Sequence, residues 1–225
     1  MRLHLREALA ATLAERYTVV RYDRRGRGDS GESRERGSES VQREVEDLDA
    51  VAAAAGGAPF AYGHSSGGAL VLEAAARGVE LKRIAVYEPP YTDHAPDPTF
   101  AQEIDDLVRE GRRSEAAERF LALTGAPPAV TEGIKSSPGW PWMEALAHTL
   151  PRDLALGGNG GLPAMIDRIA VPLLALAGGA SAAWARSAAR AIADAVPAGE
   201  TTVLEGQHHD VADEALLPIL HEFLA

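Results

Sequence analysis

"PFAYGHSSGGAL" (residues 59–70) is the stretch on which the reading of this chain turns. Residues 59–63 are short, apolar and closed by a glycine, as a buried strand is. Residues 67–78 read as a helix ended by Gly78. Between them, Gly63-His64-Ser65-Ser66-Gly67 matches G-x-S-x-G, in which a serine stands at the tip of a sharp strand-to-helix turn. That turn is strained, and side chains at its flanking positions would collide with neighbouring backbone, which accounts for the glycines. Ser65 is therefore the expected nucleophile. Ser66 is expected to lend its backbone N–H to an oxyanion hole while its own hydroxyl stays idle. A Gly/Ser-rich turn without chemistry is the competing reading, and the strand-turn-helix setting favours the nucleophile.

Strand and helix signals alternate outward from this turn. Residues 17–23, "YTVVRYD", are β-branched and aromatic and read as a strand. A polar, Gly-rich loop follows to about Ser38. Val41, Val45, Leu48 and Ala52 then line one helical face. Strands are expected at 83–88, 171–177 and 201–205, with helices near 182–195 and 212–224. Between 91 and 165 the pattern changes to short helical pieces (99–111, 114–124) split by prolines and "GGNGG". The expected fold class is α/β: a mostly parallel sheet with helices on both faces. The core is expected from 1–90 and 166–225, with 91–165 a helical cap inserted at a strand's C-terminal edge, where ligands bind in such sheets.

A serine needs a base to take its proton. His208 and His209, in "LEGQHHDV" after the last strand, are the histidines placed to reach Ser65, with His209 preferred. Without Ser65 they would read as an exposed polar pair. "YDRRGRGDS", "GHSSGG" and "LEGQHHDV", in this order, resemble the α/β-hydrolase superfamily over nearly the whole chain. The resemblance implies a histidine three residues after a glycine that closes the last strand; Gly206 and His209 fit. It also implies a cap after the strand that follows the elbow helix, and cofactor-free hydrolysis. A serine rather than an aspartate at the elbow points to the serine branch, acting on esters, lactones or related acyl groups.

Two departures from the family pattern stand out. The loop that usually carries the acid reads "ALAGGASAAW" and holds no carboxylate, with Ser181 about where an aspartate would stand. Glu88, at the end of strand 83–88, is the expected substitute, ahead of Asp93, Asp210 or a Ser–His dyad without an acid. Its ordinary alternative is an ion pair or a loop cap. The family also begins with three more strands and an oxyanion loop that this sequence does not show. Strands 17–22 and 59–63 are then expected to pair directly, in the order 17–22, 59–63, 83–88, 171–177, 201–205. The far edge of 17–22 would be a candidate homodimer surface. A non-catalytic or truncated hydrolase-like scaffold is the rival from another class.

Bulk properties narrow the rest. The chain has 225 residues, a net charge of −11 and no cysteine. This charge argues against nucleic acid, and the cysteine count excludes disulfides and thiolate chemistry. Arg24, Arg25 and Arg27 read as a solvated turn. "GRGDSG" matches a dinucleotide fingerprint only formally, because no helix follows it. No metal cluster, cofactor or membrane span is expected, and the expected location is cytoplasmic. His64, beside the nucleophile, and Trp140 and Trp142, in the cap, are expected to line a pocket for a small-molecule substrate. For the tryptophans, packing the cap is the plainer role.

Overall fold

The computed structural model describes residues 7–31, 37–92, 97–157 and 160–225. Four strands form one parallel sheet: β1 (Phe60–His64), β2 (Arg83–Tyr87), β3 (Leu173–Gly178) and β4 (Gly199–Leu204), in the order β1-β2-β3-β4. Short apolar runs make β1 to β3, while β4 is a β-branched, largely exposed edge, and alternation sorts their side chains. Ile84, Val86, Leu173, Ala175 and Ala177 face one core. There they meet Val41, Val45 and Leu48 of α2 (Gly37–Ala54), Leu70 of α3 (Ser66–Ala76) and Ile192 of α9 (Ala183–Ala195). Ala85, Tyr87, Leu174 and Leu176 face the other, against Leu9 of α1 (Glu7–Leu13) and Leu216 and Leu220 of α10 (Asp213–Leu224). Both faces are covered, so β3 is buried throughout and β2 from Ile84 to Tyr87, as a parallel sheet requires.

Register fixes what meets at the sheet's C-terminal edge. His64 pairs with Tyr87 across β1 and β2, so the next residues, Ser65 and Glu88, leave neighbouring strands side by side.

Between β2 and β3 run α4 (Pro98–Arg109), α5 (Arg113–Leu123), α6 (Pro128–Lys135), α7 (Trp140–Leu146) and α8 (Leu150–Gly157). Their small core includes Ile104, Leu107, Ala116 and Ala147. The sequence reading finds α4 and α5 but misses α6 to α8, because it takes their prolines as breaks. Pro128, Pro141 and Pro151 all stand in first turns, where the missing N–H costs no hydrogen bond.

One expected strand is absent. Residues 17–23 carry no strand and make no backbone hydrogen bond to β1 among the described residues. The nearest link is an edge-to-face contact of Tyr17 on Phe60, ring centres 6.3 Å apart. Strand propensity there has no partner to act on, because a ladder forms only between adjacent backbones. A groove of about 590 Å³ lies along this segment, lined by Val19, Tyr22, Tyr62, Gly63 and others. Val20 and Tyr22 are exposed. The sheet order holds for its last four members, and direct pairing of 17–22 with 59–63 does not occur.

Candidate active site

The turn after β1 has the geometry of a strained nucleophile position. Ser65 adopts φ 53° and ψ −126°, a left-handed conformation that costs a non-glycine residue about 1–3 kcal/mol. Its backbone holds it there. Ser65 N–H donates to Tyr87 O at 2.8 Å, while Gly68 and Ala69 N–H donate to Ser65 O. Gly63 is required: a Cβ there would lie 2.6 Å from Gly67 O and from Gly68 Cα. Gly68 is tight as well, 3.1 Å from Gly63 O and Pro89 Cγ. The second motif glycine, Gly67, has open space where a Cβ would go, contrary to the expectation that both flanks are crowded. Ser66 opens α3, and first-turn N–H groups have no partner within their helix.

Glu88 follows β2, has φ 46° and is almost wholly buried. Its Oε1 accepts from Gly178 N–H at 2.8 Å, and its Oε2 meets His209 Nδ1 at 2.7 Å. Burial pushes its carboxyl pKa up, but the His209 bond, the Ser181 hydroxyl and the Gly178 N–H outweigh it. The net result lies below the ordinary value. Ser181 Oγ is buried and has no hydrogen-bond partner of normal geometry among the described residues, so it acts on the carboxylate by proximity. A Cβ on Gly178 would fall 2.2 Å from Gln207 O, so only glycine lets the β4 loop close over this strand end.

That loop presents His209. Tyr87 Oη donates to His208 O at 2.7 Å, and Ala180 N–H donates to Gln207 O at 2.9 Å, which pins the two residues before it. His208 and His209 are both exposed, yet only His209 bonds Glu88. The His64 ring packs between Tyr87 and His209, with ring centres at 5.2 and 5.0 Å. With Nδ1 committed to Glu88, His209 keeps Nε2 for a second partner. The Ser65 hydroxyl makes no hydrogen bond to it among the described residues. Such bonds often tighten only when substrate is present.

A charged network lies on the other side of the turn. Arg24 donates through Nε and Nη2 to both oxygens of Glu44, at 2.5 and 2.8 Å. Its Nη1 reaches Ser66 Oγ and Asp153 Oδ1, each at 3.1 Å. Arg27 caps Asp153 from outside at 2.7 and 2.6 Å, and Arg25 pairs with Asp47. Burial works against the charge on Asp153, but Arg27 and Arg24 overcome it and hold the carboxyl below its ordinary pKa. Two expectations fail here. The three arginines are not a solvated turn, and the Ser66 hydroxyl is not idle.

A family model described as alpha/beta hydrolase family matches residues 2–217. The chain belongs to the alpha/beta hydrolase family. An alpha/beta hydrolase from Sphaerobacter thermophilus is 44% identical, with a TM-score of 0.90, and the match covers 98% of this chain and 87% of that one. A thermophilic esterase from Thermogutta terrifontis is 19% identical, with a TM-score of 0.69, covering 98% of this chain and 84% of that one. An enol-lactonase from Burkholderia xenovorans is 18% identical, with a TM-score of 0.68, covering 99% and 86%. These last two share the fold. No curated protein sequence matches the chain.

The hydrolase places its expected site residues unevenly. Glu88, His209 and His64 gather at the β1–β2 edge beside the Ser65 turn. Trp140 does not line a pocket: it is buried in the inserted helices, and its Nε1 donates to Ser114 Oγ at 3.3 Å. Trp142 is half-buried on the same helix, which packs on α5. Trp140 therefore packs the inserted helices, since an indole buries well only with its N–H satisfied. Asp210 is exposed, and Asp93 lies outside the described residues. The residues that sequence reasoning missed are Glu44 and Asp153. An acid on each of two otherwise amphipathic helices, opposite an arginine-rich turn, was the available signal. No helix among the described residues is long and apolar enough to cross a membrane.

Proposed function

We propose that this hydrolase is a cofactor-independent serine hydrolase that cleaves small carboxylic esters, lactones or related acyl substrates through an acyl-enzyme on Ser65. The observation that carries the reading is the Glu88–His209 bond beside a strained Ser65 turn. Glu88 holds the proton of His209 on Nδ1, which leaves Nε2 as the base. Nε2 takes the proton from Ser65 Oγ, and Oγ attacks the acyl carbonyl. Ser66 N–H, at the positive end of α3, stabilises the alkoxide that forms. The alkoxide collapses, the bond to the leaving oxygen breaks, and that oxygen receives the proton from Nε2. Water, deprotonated by the same nitrogen, then frees Ser65 and releases the acid. The inserted helices act as a cap over this edge. The esterase and lactonase among the structural neighbours fit acyl chemistry but contribute only a fold likeness.

A fluorophosphonate probe tests the assignment. The wild type should gain one adduct, Ser65→Ala none, and Ser66→Ala should still label to completion. Labelling of Ser65→Ala together with loss in Ser66→Ala would move the nucleophile by one residue. An unlabelled wild type would favour a binding role.

A further inference from the structure

The Ser65–Ser66 peptide is held from two sides. Ser65 N–H donates to Tyr87 O at 2.8 Å, and Ser66 Oγ accepts from Arg24 Nη1 at 3.1 Å. The Ser66 N–H lies between those two anchors. Arg24 is itself fixed, because Glu44 takes Nε and Nη2 as a fork and so aims the remaining nitrogen. A lysine cannot reproduce this, since it has one flexible ammonium instead of a planar set of donors. Nη1 is shared between Ser66 and Asp153 of α8, at equal distances of 3.1 Å. The inserted helices touch the same turn twice more: Arg152 donates to Arg25 O at 2.7 Å, and His148 Nε2 meets Gly26 O at 2.8 Å.

Stability alone does not account for the Ser66 contact. Arg24 and Arg27 balance Glu44 and Asp153, and those four charges satisfy one another within the network. Buried ion pairs of this kind are weak sources of net stability. What the Ser66 bond adds is direction at the residue that follows the nucleophile. We propose that Arg24 is a positioning residue for the nucleophile turn, fixing the Ser66 N–H and making that fix depend on where Asp153 holds α8. The proposal rests on Ser65 as nucleophile with Ser66 N–H as oxyanion donor.

The test measures the inactivation rate constant and the probe affinity for a fluorophosphonate separately. Ser66→Ala keeps the N–H and removes only the hydroxyl. Its inactivation rate constant should fall about tenfold, equivalent to about 1.4 kcal/mol of barrier, with affinity within twofold of wild type. Ser66→Thr, which keeps a hydroxyl, should recover most of the rate. Arg24→Lys should fall at least as far as Ser66→Ala, and combining the two should cost less than a further twofold, because both remove the same link. If Arg24→Lys does not fold, the Ser66→Ala and Ser66→Thr pair still decides. A Ser66→Ala rate within twofold of wild type overturns the proposal while leaving Ser65 as nucleophile. Losses that multiply in the double variant also overturn it. An unlabelled wild type overturns the Ser65 reading and this proposal with it.

Discussion

Replacing Glu88 by glutamine isolates the charge behind His209 from its shape. The side chain is almost wholly buried and makes two contacts, to Gly178 N–H at 2.8 Å and to His209 Nδ1 at 2.7 Å. Glutamine can keep the first through its carbonyl oxygen. Its amide nitrogen then faces His209 and donates, so Nδ1 must accept and the imidazole proton moves to Nε2. That tautomer cannot take a proton from Ser65. Loss of the acid in a serine protease triad costs about 10⁴ in turnover, or about 5.5 kcal/mol, and a similar loss is expected here. The fold loses much less. Exchanging a charge-assisted hydrogen bond for a neutral one costs about 1 kcal/mol, which lowers the melting temperature by about 2–4 °C in a chain of this size. The assay is hydrolysis of p-nitrophenyl butyrate, with thermal unfolding in parallel. Turnover within tenfold of wild type, with the fold intact, would refute the role given to Glu88.

The two glycines flanking Ser65 should respond differently to alanine. Gly63→Ala forces a Cβ to 2.6 Å from backbone and should cost several kcal/mol or prevent folding, whereas Gly67→Ala enters open space and should be neutral or stabilise by about 0.5–1 kcal/mol; thermal melts in the reverse order would refute the turn geometry. Acid should destabilise the hydrolase through Glu88 and Asp153, both held below the ordinary carboxyl pKa in the fold. A depressed folded pKa gives stability that is present above the unfolded value and lost as pH falls through the folded one. Urea midpoints should therefore drop on acidification, with a shallower drop in Asp153→Asn; midpoints that hold or rise would contradict both shifts.

Local signals carried most of the fold. The central strands, the turn and the helices of the core are legible because burial on both faces writes apolar runs, and because turns and helix ends need glycine; the edge strand β4 is legible from its β-branched residues. The Glu88–His209 contact was legible for a different reason: the usual acid position held no carboxylate, and the end of β2 offered one. What failed depends on partners remote in sequence. Residues 17–23 have the composition of a strand, but pairing is a property of two segments, and β1 lies out of hydrogen-bond reach. Arg24 looks solvated in a polar turn until Asp153, 129 residues downstream, comes to rest against it. Trp140 looks like a pocket wall only while its burial against Ser114 is unknown.

The position of Glu88 has an evolutionary consequence. Ser65 N–H is bonded to the residue immediately before Glu88, so the Ser65 turn and Glu88 are joined across one pair of strands. Their separation is set by β1–β2 register. The backbone amide that Glu88 also accepts from is that of Gly178, the last residue of β3, and from the loop that follows only Ser181 bears on the Glu88 charge. Residues 97–168 make no hydrogen bond described above to Ser65 or Glu88 themselves, and reach the turn through Arg24, which Asp153 shares with Ser66. Such a layout lets the inserted helices change around a new substrate while strand register keeps the Ser65 turn beside Glu88, as long as the Asp153 contact to Arg24 is kept.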